Sequence, residues 1–161
     1  MMGLKSRALR IVPGTVLAVA CILACSEIAT AHDVALVTSK NSRVKGAKAA
    51  DLARMIKTTH RCPDGYDLTV ILANPSSLEM RIVATKLLSL TNDEFKKSID
   101  VANRNRVTFL VVSSDDEVLK ALQGNTSAIG LVNVYSINGS VDVLKIDGKL
   151  PLEPAYVLHS Q

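Results

Sequence analysis

Five short apolar segments limit most strongly how this chain of 161 residues can fold. They lie at residues 34–38, 68–72, 107–112, 128–132 and 141–146, and each has the length and composition of a buried β-strand. The segments between the first four have the spacing of apolar residues that is typical of amphipathic helices. The order predicts β-α-β-α-α-β-α-β-β, an α/β layered domain with a mainly parallel sheet and flanking helices. The segment 107–112 has the strongest strand pattern.

Three helix starts are indicated by a serine or threonine that is followed three residues later by glutamate. This spacing is the capping box, in which each side chain bonds the backbone N–H of the other residue. The pairs are Ser76 with Glu79, Thr91 with Glu94, and Ser114 with Glu117. The helix that begins at Ser76 is expected to bury a stripe made of Leu78, Ile82, Val83, Leu87 and Leu90.

Residues 1–31 differ from the rest of the chain and have the order of a secretory signal peptide. A basic start precedes an almost uncharged apolar stretch at 11–25, and Ala29-Thr30-Ala31 matches a cleavage site. The uninterrupted apolar run is shorter than the roughly 20 residues that a spanning helix needs, which favours a cleaved signal over a membrane anchor. We therefore expect a periplasmic or secreted domain at residues 32–161.

A second way of processing this leader stays open. Ile22-Leu23-Ala24-Cys25 resembles the lipobox of bacterial lipoproteins, in which the cysteine is acylated and becomes the mature N-terminus. Cleavage after Ala31 competes with lipidation at Cys25. Because a single acyl chain binds membranes only marginally, a lipoprotein would need its full acylation. Membrane association is expected only in that case.

Charge and cysteine content limit which functions and which cross-links the domain can have. The leader holds three of the 19 basic residues and only one of the 15 acidic residues, so the domain itself is close to neutral. With no tryptophan and no aromatic-rich basic patch, it gives no case for nucleic-acid binding. Cys62 is the single cysteine after the leader, which excludes a disulfide within the domain.

Four passages, in order, resemble the phosphate-type substrate-binding proteins of ABC transporters, which have the type II periplasmic-binding fold. They are the strand 34–38 with the helix at 50–56, the turn Arg61-Cys-Pro-Asp-Gly65, the segment Leu72-Ala-Asn-Pro-Ser-Ser77 with the helix after it, and Ala128-Ile-Gly-Leu-Val132. The last passage is the most specific. Cys62 and Leu131 stand where the family has tryptophan and tyrosine. The family's arginine before its Ser-Gly-Thr site is also missing.

The resemblance implies that the domain is one lobe of such a protein and binds a small oxyanion such as phosphate for ABC-type uptake. It implies no enzymatic activity, cofactor or metal. Full family members close two lobes on the anion, and residues 32–161 have room for one. A lone lobe cannot clamp a ligand by hinge closure.

The candidate binding residues are Ser76, Ser77 and Arg81. A helix start offers free backbone N–H groups and a positive dipole end, to which the two hydroxyls would add donors. Arg81 follows one turn later. Glu79 in the same turn favours a simpler interpretation, in which the serine only caps the helix.

An envelope interaction module derived from a binding-protein lobe, with a protein partner and no small ligand, is the alternative function. The sequence contains no nucleophile elbow, phosphate loop or zinc motif, so an enzyme is disfavoured.

Overall fold

The computed structural model describes residues 32–62, 64–104 and 108–160. The predicted leader and Cys25 lie outside these residues. The elements are β1 (Val34–Ser39), α1 (Ala49–Arg54), β2 (Thr69–Ala73), α2 (Leu78–Ile82), α3 (Asn92–Ala102), β3 (Phe109–Val112), α4 (Asp115–Leu122), β4 (Ala128–Asn133) and β5 (Val141–Val143). The predicted order of helices and strands is confirmed. Helices α1 and α2 continue as π-helical turns at Met55–Thr59 and Val83–Leu87, and a 3₁₀ turn at Val134–Ser136 follows β4.

The five strands form one sheet in the order β3-β2-β4-β1-β5. Strand β2 pairs in parallel with both β3 and β4, so that Val70 lies opposite Phe109 on one side and Ile129 on the other. Strand β1 runs antiparallel to both of its neighbours, β4 and β5. Four strands therefore point one way and β1 alone points the other way. The mainly parallel α/β class is confirmed.

Alternating side chains of the central strands build a core on each face of the sheet. Leu36, Leu72 and Leu131 point into the larger core, which α1, α2 and α3 cover. Their sequence neighbours, among them Val37 and Ile71, point into the smaller core under α4. Because both faces are covered, these strands need continuous apolar runs, and this is the pattern that the sequence shows.

One glycine sets the distance between α4 and the sheet. A Cβ atom at Gly130 in β4 would lie 2.8 Å from the side chains of both Val118 and Leu122, and 3.1 Å from Val37. The helix therefore packs directly on the backbone of β4. This contact is a physical reason for the glycine in the segment Ala128–Val132, which carried the most specific part of the family resemblance.

The strand with the strongest sequence pattern lies at the edge of the sheet. Within the described residues strand β3 pairs only with β2, and its Leu110 and Val111 remain 37% and 44% exposed. Burial at both faces, which its apolar run suggested, is therefore incomplete. Strand β5 is also shorter than predicted: it ends at Val143, and Ile146 forms a separate bridge with Ala47.

The predicted start of α2 is wrong by one residue. Ser77, not Ser76, is the N-cap, and its Oγ accepts the Met80 N–H at 3.2 Å. The Ser76 N–H instead donates to the side chain of Asn74 at 3.1 Å, which holds Ser76 in the preceding turn. The buried stripe also shifts, since Leu78 is 45% exposed. The residues buried along this helix are Met80, Val83, Ala84, Leu87 and Leu88.

The other two helix starts agree better with the sequence. Thr91 and Glu94 form both contacts of a capping box at the start of α3. Ser114 caps α4 by accepting the Glu117 N–H, as predicted. The return contact differs, because the Glu117 carboxylate accepts from the backbone and hydroxyl of Ser113, at 2.9 and 2.8 Å. Within the described part of the chain, no helix is long and apolar enough to cross a membrane.

Candidate ligand site at the carboxyl ends of the strands

A crevice lies outside the carboxyl ends of β2 and β4. From these neighbouring strands the chain departs in opposite directions, since β2 leads to β3 on one side and β4 leads across β1 to β5 on the other. Such a topological switch point is where open α/β sheets bind their ligands. The cavity has a volume of about 120 Å³ and is bordered by the beginnings of α2 and α4. We call it the switch-point crevice and define its polar lining as Asn74, Ser77, Glu79, Asp115 and Asn133.

A tight turn brings Ser77 into this crevice. Asn74 has a positive φ of 29°, a conformation that asparagine tolerates better than most residues. Its carbonyl accepts the Ser77 N–H at 3.0 Å, and its side chain accepts the Ser76 N–H. The Ser77 hydroxyl accepts from Met80 and also bonds Glu79. The N–H groups of Ser76, Ser77 and Met80 at the start of α2 are therefore already bonded within the chain.

Glu79 is the most highly connected side chain of the crevice. Its Oε1 lies 3.0 Å from Nδ1 of His32 and accepts from Nδ2 of Asn133 at 3.3 Å. Burial by itself would raise the pKa of this carboxyl. Hydrogen bonds from its own backbone, His32, Asn133 and Ser77 outweigh that effect and hold the pKa below its usual range. Glu79 is therefore a carboxylate at neutral pH.

A second carboxylate lies on the opposite wall. Oδ2 of Asp115, at the start of α4, accepts the backbone N–H of Asn133 at 3.0 Å. The side chain of Asn133 accepts the Tyr135 N–H at 3.0 Å, which begins the 3₁₀ turn. Asn133 thus links the end of β4 to helices on both faces of the sheet. The crevice combines two carboxylates, amide groups and a hydroxyl, so it suits a ligand that donates hydrogen bonds.

The structure brings only one of the three predicted binding residues into the crevice. Ser77 lines it, whereas Ser76 is exposed on the turn outside. Arg81 lines a different cavity of about 450 Å³, together with His32 and Lys86. His32 lies between the two, because it borders the Arg81 cavity and contacts Glu79 of the crevice. The roles of Ser76, Ser77 and Arg81 in binding stay predictions.

Sequence reasoning missed His32 and Asn133 as site residues. Asn133 carried a usable signal, since it is the first polar residue after the apolar segment 128–132 and so marks the carboxyl end of a strand. His32 gave no such signal, because it lies 47 residues from Glu79 in the sequence. In the ranges 32–62, 64–104 and 108–160, no group of three or more His, Cys, Asp or Glu side chains could hold a metal ion.

No family model matches this sequence, and no curated protein matches it. Solved structures do match. An ABC-type phosphate transport receptor from Vibrio cholerae superposes with a TM-score of 0.60 at 17% identity, over 79% of this chain and 53% of that protein. A putative phosphate ABC transporter substrate-binding protein from Clostridium perfringens, with bound phosphate, gives 0.56 at 20% identity, over 72% and 45% of the two chains. PstS from Borrelia burgdorferi gives 0.55 at 14% identity, over 74% and 49%.

The chain therefore has the α/β fold of a phosphate-type substrate-binding protein, and the fold expected from the sequence is confirmed. It spans about half the length of the proteins that it matches. At these low identities the likeness establishes a shared fold. The neighbours are named as transport receptors and binding proteins, and one of them was solved with phosphate bound.

Proposed function

We propose that this domain binds a small protonated oxyanion, phosphate above all, in the switch-point crevice, and that it serves ABC-type uptake. The observation that carries the proposal is the position of the crevice. It lies at the topological switch point of a fold shared with phosphate receptors, with polar groups from both of its walls facing the same space.

The two carboxylates restrict which oxyanion can enter. A fully ionised oxyanion beside Glu79 and Asp115 would face like charges. Phosphate at neutral pH keeps at least one P–OH group, which can donate a hydrogen bond to a carboxylate, whereas sulfate has no proton to donate. Phosphate is therefore expected to bind and sulfate to be rejected.

Hydrogen-bond donors for the remaining phosphate oxygens are available near the crevice. The amide of Asn74 and the hydroxyl of Ser76 are exposed on the turn that borders it. Arg81, on the far side of His32, would contribute a positive charge. In this proposal Asn74 and Ser76 donate to the anion from the rim of the crevice, and Arg81 contributes its charge from the neighbouring cavity. Glu79, held by Ser77, recognises the proton of the anion.

Isothermal titration calorimetry with phosphate and with sulfate tests this function on the full chain. We expect heat from phosphate only, and loss of that heat in Glu79→Gln, which removes the proton-accepting charge. Glu153→Gln changes an exposed glutamate that does not line the crevice, so it is the matched control and should bind as the wild type does. Absence of heat at millimolar phosphate, or equal binding of sulfate, would contradict the proposal.

A second candidate function is docking on an envelope protein. The edge strand β3 favours it, because Leu110 and Val111 are exposed and the outer side of the strand pairs with no other strand of the described sheet. Capture of an envelope protein by the wild type, lost in Val111→Lys and kept in Glu153→Gln, would support this function. Equal capture by all three proteins would argue against it.

Export through the leader is part of the same proposal. Cleavage after Ala31 would give a mature chain that begins at His32, while lipidation would give one that begins at an acylated Cys25. Intact-mass measurement of the protein from a membrane and a soluble fraction separates the two. A chain that keeps residues 1–31 in every fraction would contradict both.

A further inference from the structure

A cavity larger than the switch-point crevice lies at the other end of the parallel strands. It is formed by the loop after β1, by α1 and by the turn before β2, and its volume is about 710 Å³. Sites for small organic molecules have volumes in this range. We call it the basic cavity, because its lining contains Arg43, Lys45, Arg54 and Arg61 against two acidic residues, Asp51 and Asp64.

Two of these cations have no carboxylate partner among the residues that the structure describes. Arg54 forms an ion pair with Asp51 at 3.2 Å, and Arg61 forms one with Asp67 at 3.4 Å. Across residues 32–62, 64–104 and 108–160, Arg43 and Lys45 form no ion pair. Of the two acidic residues in the lining, Asp51 is paired, while Asp64 forms no ion pair with a described residue and opposes an anion. The charge of the cavity therefore suits an anionic ligand.

The segment that carries Arg43 and Lys45 is held in place by the fold. The Arg43 N–H donates to the carbonyl of Thr126 at 2.9 Å, and the buried Ser42 hydroxyl donates to the same carbonyl at 3.2 Å. The Arg43 guanidinium carbon lies 4.0 Å from the ring centre of Tyr66. A guanidinium that is already positioned loses less conformational entropy when it meets a ligand.

Part of the lining is apolar and buried. Val44, Met55 and Cys62 border the cavity, and each is only 5–6% exposed. An inorganic anion would leave this part of the cavity without contacts. An organic anion would place its apolar body against these three side chains and its charged group among the basic ones.

We infer that the basic cavity is a second ligand site, for an organic acid with an apolar body of aromatic size and one carboxylate or sulfonate. The apolar body lies against Val44, Met55 and Cys62, and the acidic group meets Arg43 and Lys45. This site is independent of the oxyanion proposed for the switch-point crevice, since the two lie at opposite ends of the parallel strands.

The fluorescent probe 8-anilinonaphthalene-1-sulfonate has both required parts and tests the inference on the full chain. The expected result is saturable binding by the folded wild type. In the double variant Arg43→Gln, Lys45→Gln the Kd should rise about tenfold, the loss typical of one or two charge-assisted hydrogen bonds. Both side chains are exposed, so the double variant should keep the wild-type circular dichroism spectrum. The matched control Lys97→Gln, Lys120→Gln removes the same charge from exposed sites on α3 and α4 and should leave the Kd unchanged.

Cys62 gives a second readout that reports the place of binding. Alkylation of Cys62 by N-ethylmaleimide, followed by peptide mass mapping, should slow when the sulfonate probe is bound. The uncharged analogue N-phenyl-1-naphthylamine should bind at least tenfold more weakly, since it lacks the anionic group. Saturating inorganic phosphate should not displace the probe.

Four results would overturn the inference: equal Kd values for the double variant and its control, no protection of Cys62, equal binding of the uncharged analogue, or displacement by phosphate. The last would show that the cavity takes inorganic anions. A failure of phosphate to bind at the switch-point crevice would bear only on the proposed function.

Discussion

The two ends of the parallel strands carry cavities of opposite character. The switch-point crevice is small, is bordered by Glu79 and Asp115, and has most of its polar groups bonded to one another. The basic cavity is several times larger and holds the cations Arg43 and Lys45, which form no ion pair with another described residue. The topology of the sheet explains where the first one lies, while side chains of α1 and of the loops beside it line the second. The two cavities therefore favour different ligands: a protonated oxyanion in the switch-point crevice and an organic acid in the basic cavity.

Gly130→Ala should have the largest effect. It should alter binding at the switch-point crevice and leave binding at the basic cavity intact. The added methyl group would overlap Val118 and Leu122, so α4 must move away from β4. We expect the free energy of unfolding in urea to fall by about 1–3 kcal/mol. Phosphate binding should weaken because Asp115 begins α4, whereas binding of the sulfonate probe should persist under folding conditions.

Gly124→Ala is the control for this substitution, because its added methyl group meets no atom within 4 Å. If both alanine variants unfold at the same urea concentration, α4 does not pack on the backbone of β4 as described here.

The second test separates the two serines at the start of α2. Ser77→Ala removes the acceptor of the Met80 N–H and should cost about 1 kcal/mol of unfolding free energy. Ser76→Ala removes an exposed hydroxyl and should cost less than about 0.5 kcal/mol. Urea unfolding of both variants measures the difference. A larger loss for Ser76→Ala would show that Ser76 is the N-cap, as the sequence pattern suggested.

The third test uses the acid sensitivity of the crevice. The lowered pKa of Glu79 means that its bonds stabilise the fold above the pKa of the unfolded chain, about 4.3 for glutamate, and that this contribution is lost as the pH falls through the folded-state value. Glu79→Gln should therefore flatten the fall in stability below about pH 4.3. Thermal unfolding at a series of pH values compares it with Glu153→Gln, and identical curves would show that the carboxylate is not held as described.

The smallest effect is expected at Cys62 in the basic cavity. Burial, and secondly the charge of Asp64, raise the pKa of this thiol. Because the thiolate is the reactive form, alkylation of Cys62 should become fast only at a higher pH than for a free cysteine. Asp64→Asn should move the midpoint of the pH–rate profile slightly downwards. A midpoint below that of free cysteine would contradict the burial of Cys62.

The elements that the sequence predicted correctly depend on contacts between residues close together in the chain. The capping box of Thr91 with Glu94 spans three residues, and each buried strand is visible in its own composition. The start of α2 was missed by one residue because Asn74 and its turn compete for the N–H of Ser76. The spacing to Glu79 favoured Ser76, but it carries no information about this turn, which leaves Ser77 as the cap.

The sequence by itself determined the α/β class and the order of the helices and strands that the structure describes. These features follow from hydrophobic periodicity and local hydrogen bonds, which a short stretch of chain encodes. Only the tertiary structure decided that β1 runs against the other strands, that His32 and Asn133 meet at Glu79, and that the cations around Cys62 form one cavity. Such contacts join residues far apart in the chain, and they form only when the strands are assembled in their final order.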